Sequence, residues 1–215
     1  LHPYGPFPSR ETKAVTPMNE ATESPSIDEA VLVVRAQADP TVFGILYETH
    51  YTPILSFLYR RTLRISTAEE LTSNTFFKAL RGLGDFTPRA GVRFRAWLYR
   101  IAVNELRMHW RSLRVHRTSS LRVDEADMPR VAFVWPEMES PEVAAQNRRR
   151  FEAIHTAIAG IDEPYQTALT LRHFEKLSHE EIATVLDKSV GAVKTLIHRG
   201  LAKFAAAYAQ IDETL

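Results

Sequence analysis

Between Phe94 and Arg111 the chain reads FRAWLYRIAVNELRMHWR, and its apolar positions recur at helical spacing. On a helix of about 3.6 residues per turn, Phe94, Trp97, Leu98, Ile101, Ala102 and Leu106 form one broad stripe that can bury. Arg93, Arg100, Asn104, Arg107 and Arg111 follow at intervals of seven, four, three and four residues and form a narrow second stripe beside it. Cations neutralise phosphates and an amide can pair with a base edge, so this helix suits contact with a nucleic-acid backbone. A solvated basic face on a core helix gives the same pattern.

The rest of the pattern is helical too. Apolar residues at three- and four-residue intervals predict helices over Ile27–Ala38 and Pro40–Leu63. Ser66 or Thr67 is a candidate cap for a helix from Ala68 to about Leu83, with Glu69 and Glu70 in its first turn. On that helix Leu71, Phe76, Ala79 and Leu80 read as the apolar side. Gly82, Gly84, Pro88 and Gly91 mark a loop before the Phe94 helix. Residues 1–26 hold five prolines and little periodicity, and are expected to be disordered, with Met18 a candidate natural start and the residues before it an artefact or an alternative start. Ser112–Pro141 reads as a linker, although its Val131–Trp135 run suits either packing on a domain or docking on a partner. Helical periodicity resumes at Glu142, and Ile161-Asp-Glu-Pro164 resembles a helix start.

The C-terminal segment adds a second candidate DNA surface. Ser178-His-Glu-Glu181 is a capping box, followed by Ile182, Ala183, Val185 and Leu186 on one helix face. Asp187-Lys188-Ser189 is a turn in which Asp187 can be left-handed and Ser189 can cap a second helix. There Val190, Val193, Ile197, Leu201 and Phe204 are expected to point inward. Gly191, Ala192, Thr195, His198 and Arg199 are expected to point outward, with Lys194 on the flank. Small residues at the exposed first turn allow close approach, and polar or cationic residues follow one turn later, as in a helix-turn-helix. A helical hairpin with no DNA role is the other reading.

Charge sharpens this picture. The net charge of +1 hides 11 Lys/Arg against 5 Asp/Glu in residues 42–112, or +6, while residues 113–145 hold 4 against 6, or −2. Two basic surfaces on an acidic tether fit a ligand with two separated anionic sites. The chain has no cysteine, which excludes disulfides, thiolate metal sites and cysteine nucleophiles. His179-Glu180 begins a zinc-protease pattern, but Ala183 stands where the second histidine belongs. Gly82-Leu-Gly84 lacks a third glycine and a preceding strand, so it is no nucleotide fingerprint. No catalytic constellation, metal site or cofactor site emerges. No apolar run approaches the roughly 18 residues of a membrane span, so no membrane insertion is expected. A soluble, cytoplasmic protein is the expectation.

These segments together resemble a bacterial RNA polymerase sigma factor of the extracytoplasmic-function group. Ala68–Leu71, Phe76–Ala79 and Phe94–Asn104 are similar to the family's domain 2. Ile161–Gln166, Leu171–Ser178, Glu181–Ala183 and Ser189–Lys194 are similar to its domain 4. The resemblance implies an all-α chain with two small helical domains on a flexible linker. It divides into an extension over 1–26, domain 2 over 27–112, a linker over 113–141 and domain 4 over 142–210. It implies a non-catalytic initiation subunit, associated with the nucleoid when bound to polymerase. Its partners would be core RNA polymerase (the β′ clamp helices and β flap), promoter DNA and an anti-sigma factor. Glu69, Glu70, Ser73, Asn74 and Phe77 would face the clamp. The Asp85–Arg93 loop, with Phe86 and Arg89, would capture an unstacked base, and Arg93, Arg100, Asn104 and Arg107 would line the −10 DNA. Lys188, Gly191, Ala192, Lys194, Thr195, His198 and Arg199 would meet the −35 element. The chain departs from the family at Ser73-Asn74, often Gln-Glu, and at Leu196, often Arg. The alternative is a helix-turn-helix regulator whose N-terminal half senses a ligand or dimerises.

Overall fold

A computed structural model describes residues 29–87, 93–117 and 153–212. All of its regular elements are helical. The N-terminal half comprises α1 (Glu29–Ala38), a 3-10 turn (Pro40–Val42), α2 (Phe43–Thr62), α3 (Ile65–Gly82), a second 3-10 turn (Leu83–Asp85) and α4 (Phe94–Arg117). The C-terminal half comprises α5 (residues 153–159), α6 (Glu163–Leu169), a π turn (Thr170–Phe174), α7 (His179–Leu186) and α8 (Val190–Asp212). The expected disordered extension and most of the expected linker, including Val131–Trp135, lie outside the described residues.

Helices α2, α3 and α4 pack around Ile54, Phe57, Leu58, Phe76, Ala79, Leu98, Ala102 and Leu106, all buried. The predicted apolar stripe of α4 is the face turned inward, with Trp97 and Ile101 at its half-buried margin. Leu80 departs from expectation, being exposed on the outer side of α3. Helix α2 continues through Pro53 and ends at Leu63, which adopts φ 54° and donates its N–H to Tyr59 O. A left-handed leucine costs about 1–2 kcal/mol, so this reversal is imposed by the packing of α3 on α2. The reversal also moves the start of α3. The helix begins at Ile65 behind an extended Arg64, so Ser66 and Thr67 lie inside it and cap nothing. Thr62 Oγ1, which donates to Leu58 O and also meets the Arg64 backbone, braces the corner instead. Glu69 and Glu70 therefore sit beyond the first turn.

In the C-terminal half local chemistry predicts the ends well. Asp162 is the N-cap of α6 and Pro164 lies in its first turn. Both arms of the capping box form on α7: Glu181 N–H donates to Ser178 Oγ (3.1 Å), and Ser178 N–H donates to Glu181 Oε2 (2.7 Å). Asp187 closes α7 at φ 55°, ψ 51°, the left-handed region. No local sequence signal marks the π turn. It lets Glu175 N–H reach Thr170 O (3.2 Å), and Lys176 follows at φ 56°. Buried apolar residues of the two halves form one continuous cluster, with α7 packed on α4 and the π turn on α2.

Candidate nucleic-acid interface

Helix α4 holds its polar stripe outward because the opposite face is core. Arg93, Arg100, Asn104 and Arg111 are exposed, and Arg107 is half-buried. Residues three and four apart on a helix are neighbours, so Arg100, Asn104 and Arg107 form one continuous patch. Arg107 is not wholly available, because its Nε lies 3.7 Å from Glu163 Oε1 of α6.

The loop before α4 starts from a fixed point. Gln37 Nε2 of α1 donates to Leu83 O (2.8 Å) and to Phe86 O (2.6 Å), pinning the chain on both sides of the exposed Asp85. Phe86 points down rather than out. It is 7% exposed, edge-on to Phe94 (5.9 Å) and tilted against Trp97 (4.7 Å). Burial of the aromatic ring in this cluster outweighs its exposure as a stacking surface. Arg89 lies outside the described residues, and Arg93 is exposed just ahead of α4. The described part of the loop thus offers Asp85 and Arg93 to a ligand and spends Phe86 on anchoring.

The second surface is the outer face of α8. Ser189 Oγ accepts from Ala192 N–H (3.2 Å), fixing the first turn. A side chain at Gly191 would meet nothing within 4 Å, so the backbone there is open to approach. Lys188, Gly191, Ala192, Lys194, Thr195, His198 and Arg199 are all exposed. Neither Lys188 nor Arg199 forms an ion pair among the described residues, whereas Lys203 is held by Asp162 (3.1 Å). Thr195 Oγ1 donates to Gly191 O (3.0 Å), leaving its lone pairs as acceptors for an outside donor. Val193 and Ile197 point inward as expected, but Leu201 is 42% exposed. Its inward place is taken by Gly200, where even a Cβ would stand 3.2 Å from Leu169 Cγ and 3.3 Å from Tyr165 Cβ.

A third exposed face lies on α3. Glu69, Glu70, Ser73, Asn74 and Phe77 share it. Phe77 is 59% exposed, with the Arg81 guanidinium 5.7 Å from its ring centre. A large ring in water beside acids and amides suits protein contact more than nucleic acid.

The contact between the halves carries residues that no periodicity signals. Tyr99 Oη of α4 donates to Glu175 Oε2 (2.7 Å), and Arg60 Nη1 lies 3.6 Å from Glu175 Oε1. Arg95 Nη2 donates to both oxygens of Glu181 (3.0 and 3.2 Å). Arg61 donates to Gln166 Oε1. Burial pushes the Arg61 guanidinium down to about 10, against the pull of nearby Glu163. Burial also raises Glu175, although Tyr99, Arg60 and Arg95 oppose the rise. Burial raises Tyr99 as well, reinforced by Glu175. Beside this contact, burial and then Arg60 push His155 down to about 4. No group of metal-binding side chains occurs among the described residues, and none of their helices is long and apolar enough to cross a membrane.

Two family models match the chain: Sigma-70 region 2 over residues 46–115 and Sigma-70, region 4 over residues 151–204. The first contains the polar stripe of α4, and the second contains α7 and the polar face of α8. The ECF RNA polymerase sigma factor BldN of Streptomyces coelicolor is 35% identical over 188 residues, which is 86% of this chain and 67% of BldN. The RNA polymerase sigma-H factor of Pseudomonas aeruginosa is 35% identical over 170 residues, 78% of this chain and 87% of the relative. Among solved structures, CnrH in complex with the cytosolic domain of CnrY aligns at a TM-score of 0.61 and 23% identity, covering 83% of this chain and 95% of CnrH. The sigma factor RpoE of Bartonella quintana, in complex with the anti-sigma factor NepR, aligns at 0.58 and 17% identity, covering 77% and 95%.

Proposed function

The chain belongs to the sigma-70 family, as an extracytoplasmic-function sigma factor that directs promoter recognition and transcription initiation, and from that premise we propose roles for its exposed faces. The alternative of a ligand-sensing or dimerising N-terminal half loses its ground, because that half matches sigma region 2. The outer face of α3, with Glu69, Glu70, Ser73, Asn74 and Phe77, docks on the β′ clamp helices of core polymerase. The α4 patch of Arg100, Asn104 and Arg107 lies along the −10 element. Asp85, Arg89 and Arg93 surround a base drawn from the non-template strand, while Phe86 supports that loop from beneath.

In the C-terminal domain α8 enters the major groove of the −35 element. Gly191 and Ala192 let the helix approach, Lys188 and Lys194 meet phosphates, and Thr195, His198 and Arg199 face the base edges. The same domain holds the β flap. The chain supplies recognition and leaves bond formation to the polymerase, acting in the cytoplasm on nucleoid DNA. CnrH is seen with the cytosolic domain of CnrY and RpoE with the anti-sigma factor NepR, and the second supports an anti-sigma factor for this chain also. The observation that carries the reading is that each sigma region holds its own exposed polar or cationic helix face. Run-off transcription with core polymerase tests it: the full chain should add promoter-dependent starts that core alone does not make. Starts identical to those of core alone would refute it.

A further inference from the structure

The outer side of α2 carries a polar row that none of the faces described above uses. Thr49, Thr52, Ser56 and Arg60 follow at intervals of three, four and four residues and so share one side of the helix. With Arg95 and Tyr99 of α4 and Phe174 and Glu175 at the π turn, they wall a cleft of about 490 Å³. Sites for small molecules run from about 300 to about 1,000 Å³. Arg100, Asn104 and Arg107 take no part in its walls.

Most of the charge around this cleft is already engaged. His50 Nε2 lies 3.0 Å from Glu29 Oε1 of α1, and Arg95 Nη2 donates to both oxygens of Glu181 (3.0 and 3.2 Å). Tyr99 Oη donates to Glu175 Oε2 (2.7 Å). Arg60 Nε and Glu175 Oε1 remain, each buried without a hydrogen-bond partner among the described residues. The Glu175 side chain is only 5% exposed. The two groups are held side by side without being joined. Arg60 Nη1 stands 3.6 Å from Glu175 Oε1, too far for a hydrogen bond, and its guanidinium lies 5.1 Å from the centre of the Phe174 ring. Burial raises the Glu175 carboxyl, although Tyr99, Arg60 and Arg95 oppose the rise, so a further donor at Oε1 would relieve it. A buried donor and a buried acceptor left unmet on the wall of one cleft call for a ligand that answers both.

The signs decide what fits. A simple anion would satisfy Arg60 and be repelled by Glu175, and a simple cation would meet the reverse. An α-amino acid carries a carboxylate and an ammonium on one carbon, so it reaches both groups at once through charge-assisted hydrogen bonds. It also adds no net charge to a wall where Glu175 and Glu181 already balance Arg60 and Arg95. The hydroxyls of Thr49, Thr52 and Ser56 can each donate and accept, which suits a polar side chain on the ligand.

We propose that this cleft binds a free α-amino acid, its carboxylate on Arg60 Nε and its ammonium on Glu175 Oε1. The hydroxyl row of α2 receives the ligand side chain and selects a polar one. The site is separate from promoter recognition and does not rest on that reading.

Calorimetric titration of the full chain with each common L-amino acid tests this, with acetate and methylammonium as probes of either charge alone. At least one polar amino acid is expected to bind tenfold or more tightly than either probe. Glu175→Gln should weaken that binding at least tenfold. Ser56→Trp and Thr52→Trp, which fill the cleft and keep both Arg60 and Glu175, should abolish it while the urea midpoint stays near that of the parent. No binding of any amino acid up to about 10 mM overturns the proposal. Acetate binding as tightly as the best amino acid also overturns it, since that marks a plain anion site. Undiminished binding by Glu175→Gln, or by either folded tryptophan variant, overturns the placement in this cleft.

Discussion

Helices α4 and α8 are built alike and presented differently. Each buries one apolar face and turns cations outward. Neither Lys188, just ahead of α8, nor Arg199 on it has an acidic partner among the described residues, and the backbone at Gly191 is open. On α4 the first turn is tied through Arg95 to Glu181, and the stripe is tied through Arg107 to Glu163. The α8 face proposed to read the duplex is therefore open, while the α4 face proposed for opening is partly covered by the C-terminal half. Charge in the sequence is the same kind of signal in both helices. What separates them is which acids the fold brings alongside.

The largest effect should come from cutting the α4 patch. Arg100→Ala with Asn104→Ala should cost about 3 kcal/mol, roughly a hundredfold in open-complex formation, if each side chain supplies one base or backbone contact. Permanganate footprinting checks this, and a template melted beforehand at −10 should recover most of the loss. Full opening of the duplex by the double variant would dissolve the contrast between the helices. Next is Arg199→Ala on α8, expected to cost roughly 1–3 kcal/mol in promoter affinity and to do so only while the −35 sequence is intact. An equal loss on a scrambled −35 template would make Arg199 a phosphate contact, with a salt slope lower by about one.

A smaller effect sharpens the comparison from outside both helices. Glu69→Lys with Glu70→Lys should weaken core-polymerase binding by roughly 1–2 kcal/mol in a pull-down titration. The fold should shift by only about 0.5 kcal/mol, since both residues are exposed. Unaltered affinity would move the clamp contact elsewhere.

The smallest effect concerns pH at the contact between halves. His155, beside Arg60 and Phe174, is held down to about 4, below its unfolded value of about 6.5. The unfolded chain therefore takes up the proton first. Stability from this group is complete above about pH 6.5 and is lost as pH falls to about 4. Discounted for partial hydration, the loss is on the order of 1 kcal/mol. Glu175, held above its usual range, works in the opposite direction. The informative quantity is thus the difference in urea midpoint between the parent and His155→Gln over that window. Parallel pH profiles would remove His155 from the contact.

Legibility in the sequence followed the range of the interaction. The capping box at Ser178 and Glu181, the left-handed Asp187 and the start at Pro164 depend on neighbours within a few residues, and all three were readable. The capping preference of Ser66 and Thr67 misplaces the start of α3, because Thr62 and a left-handed Leu63 turn the corner and override it. Periodicity misplaces Leu201 because Gly200 allows Leu169 and Tyr165 to close over the inward position. The ring of Phe86 suited both a base and a core, and only the Phe94–Trp97 cluster assigns it to the core. The pairs between the halves were out of reach. Tyr99 and Glu175 are 76 residues apart, and Arg95 and Glu181 are 86 apart.

The central claim is that two separate helix faces read two separate promoter elements, and start-site mapping tests it most directly. Core polymerase with the full chain, with Asn104→Ala and with Arg199→Ala should be run on one pool of promoters randomised at −10 and −35. The account predicts that Asn104→Ala relaxes preference only at −10 positions, and Arg199→Ala only at −35 positions. Preferences that are absent with the parent, or that relax at the same positions in both variants, would contradict it.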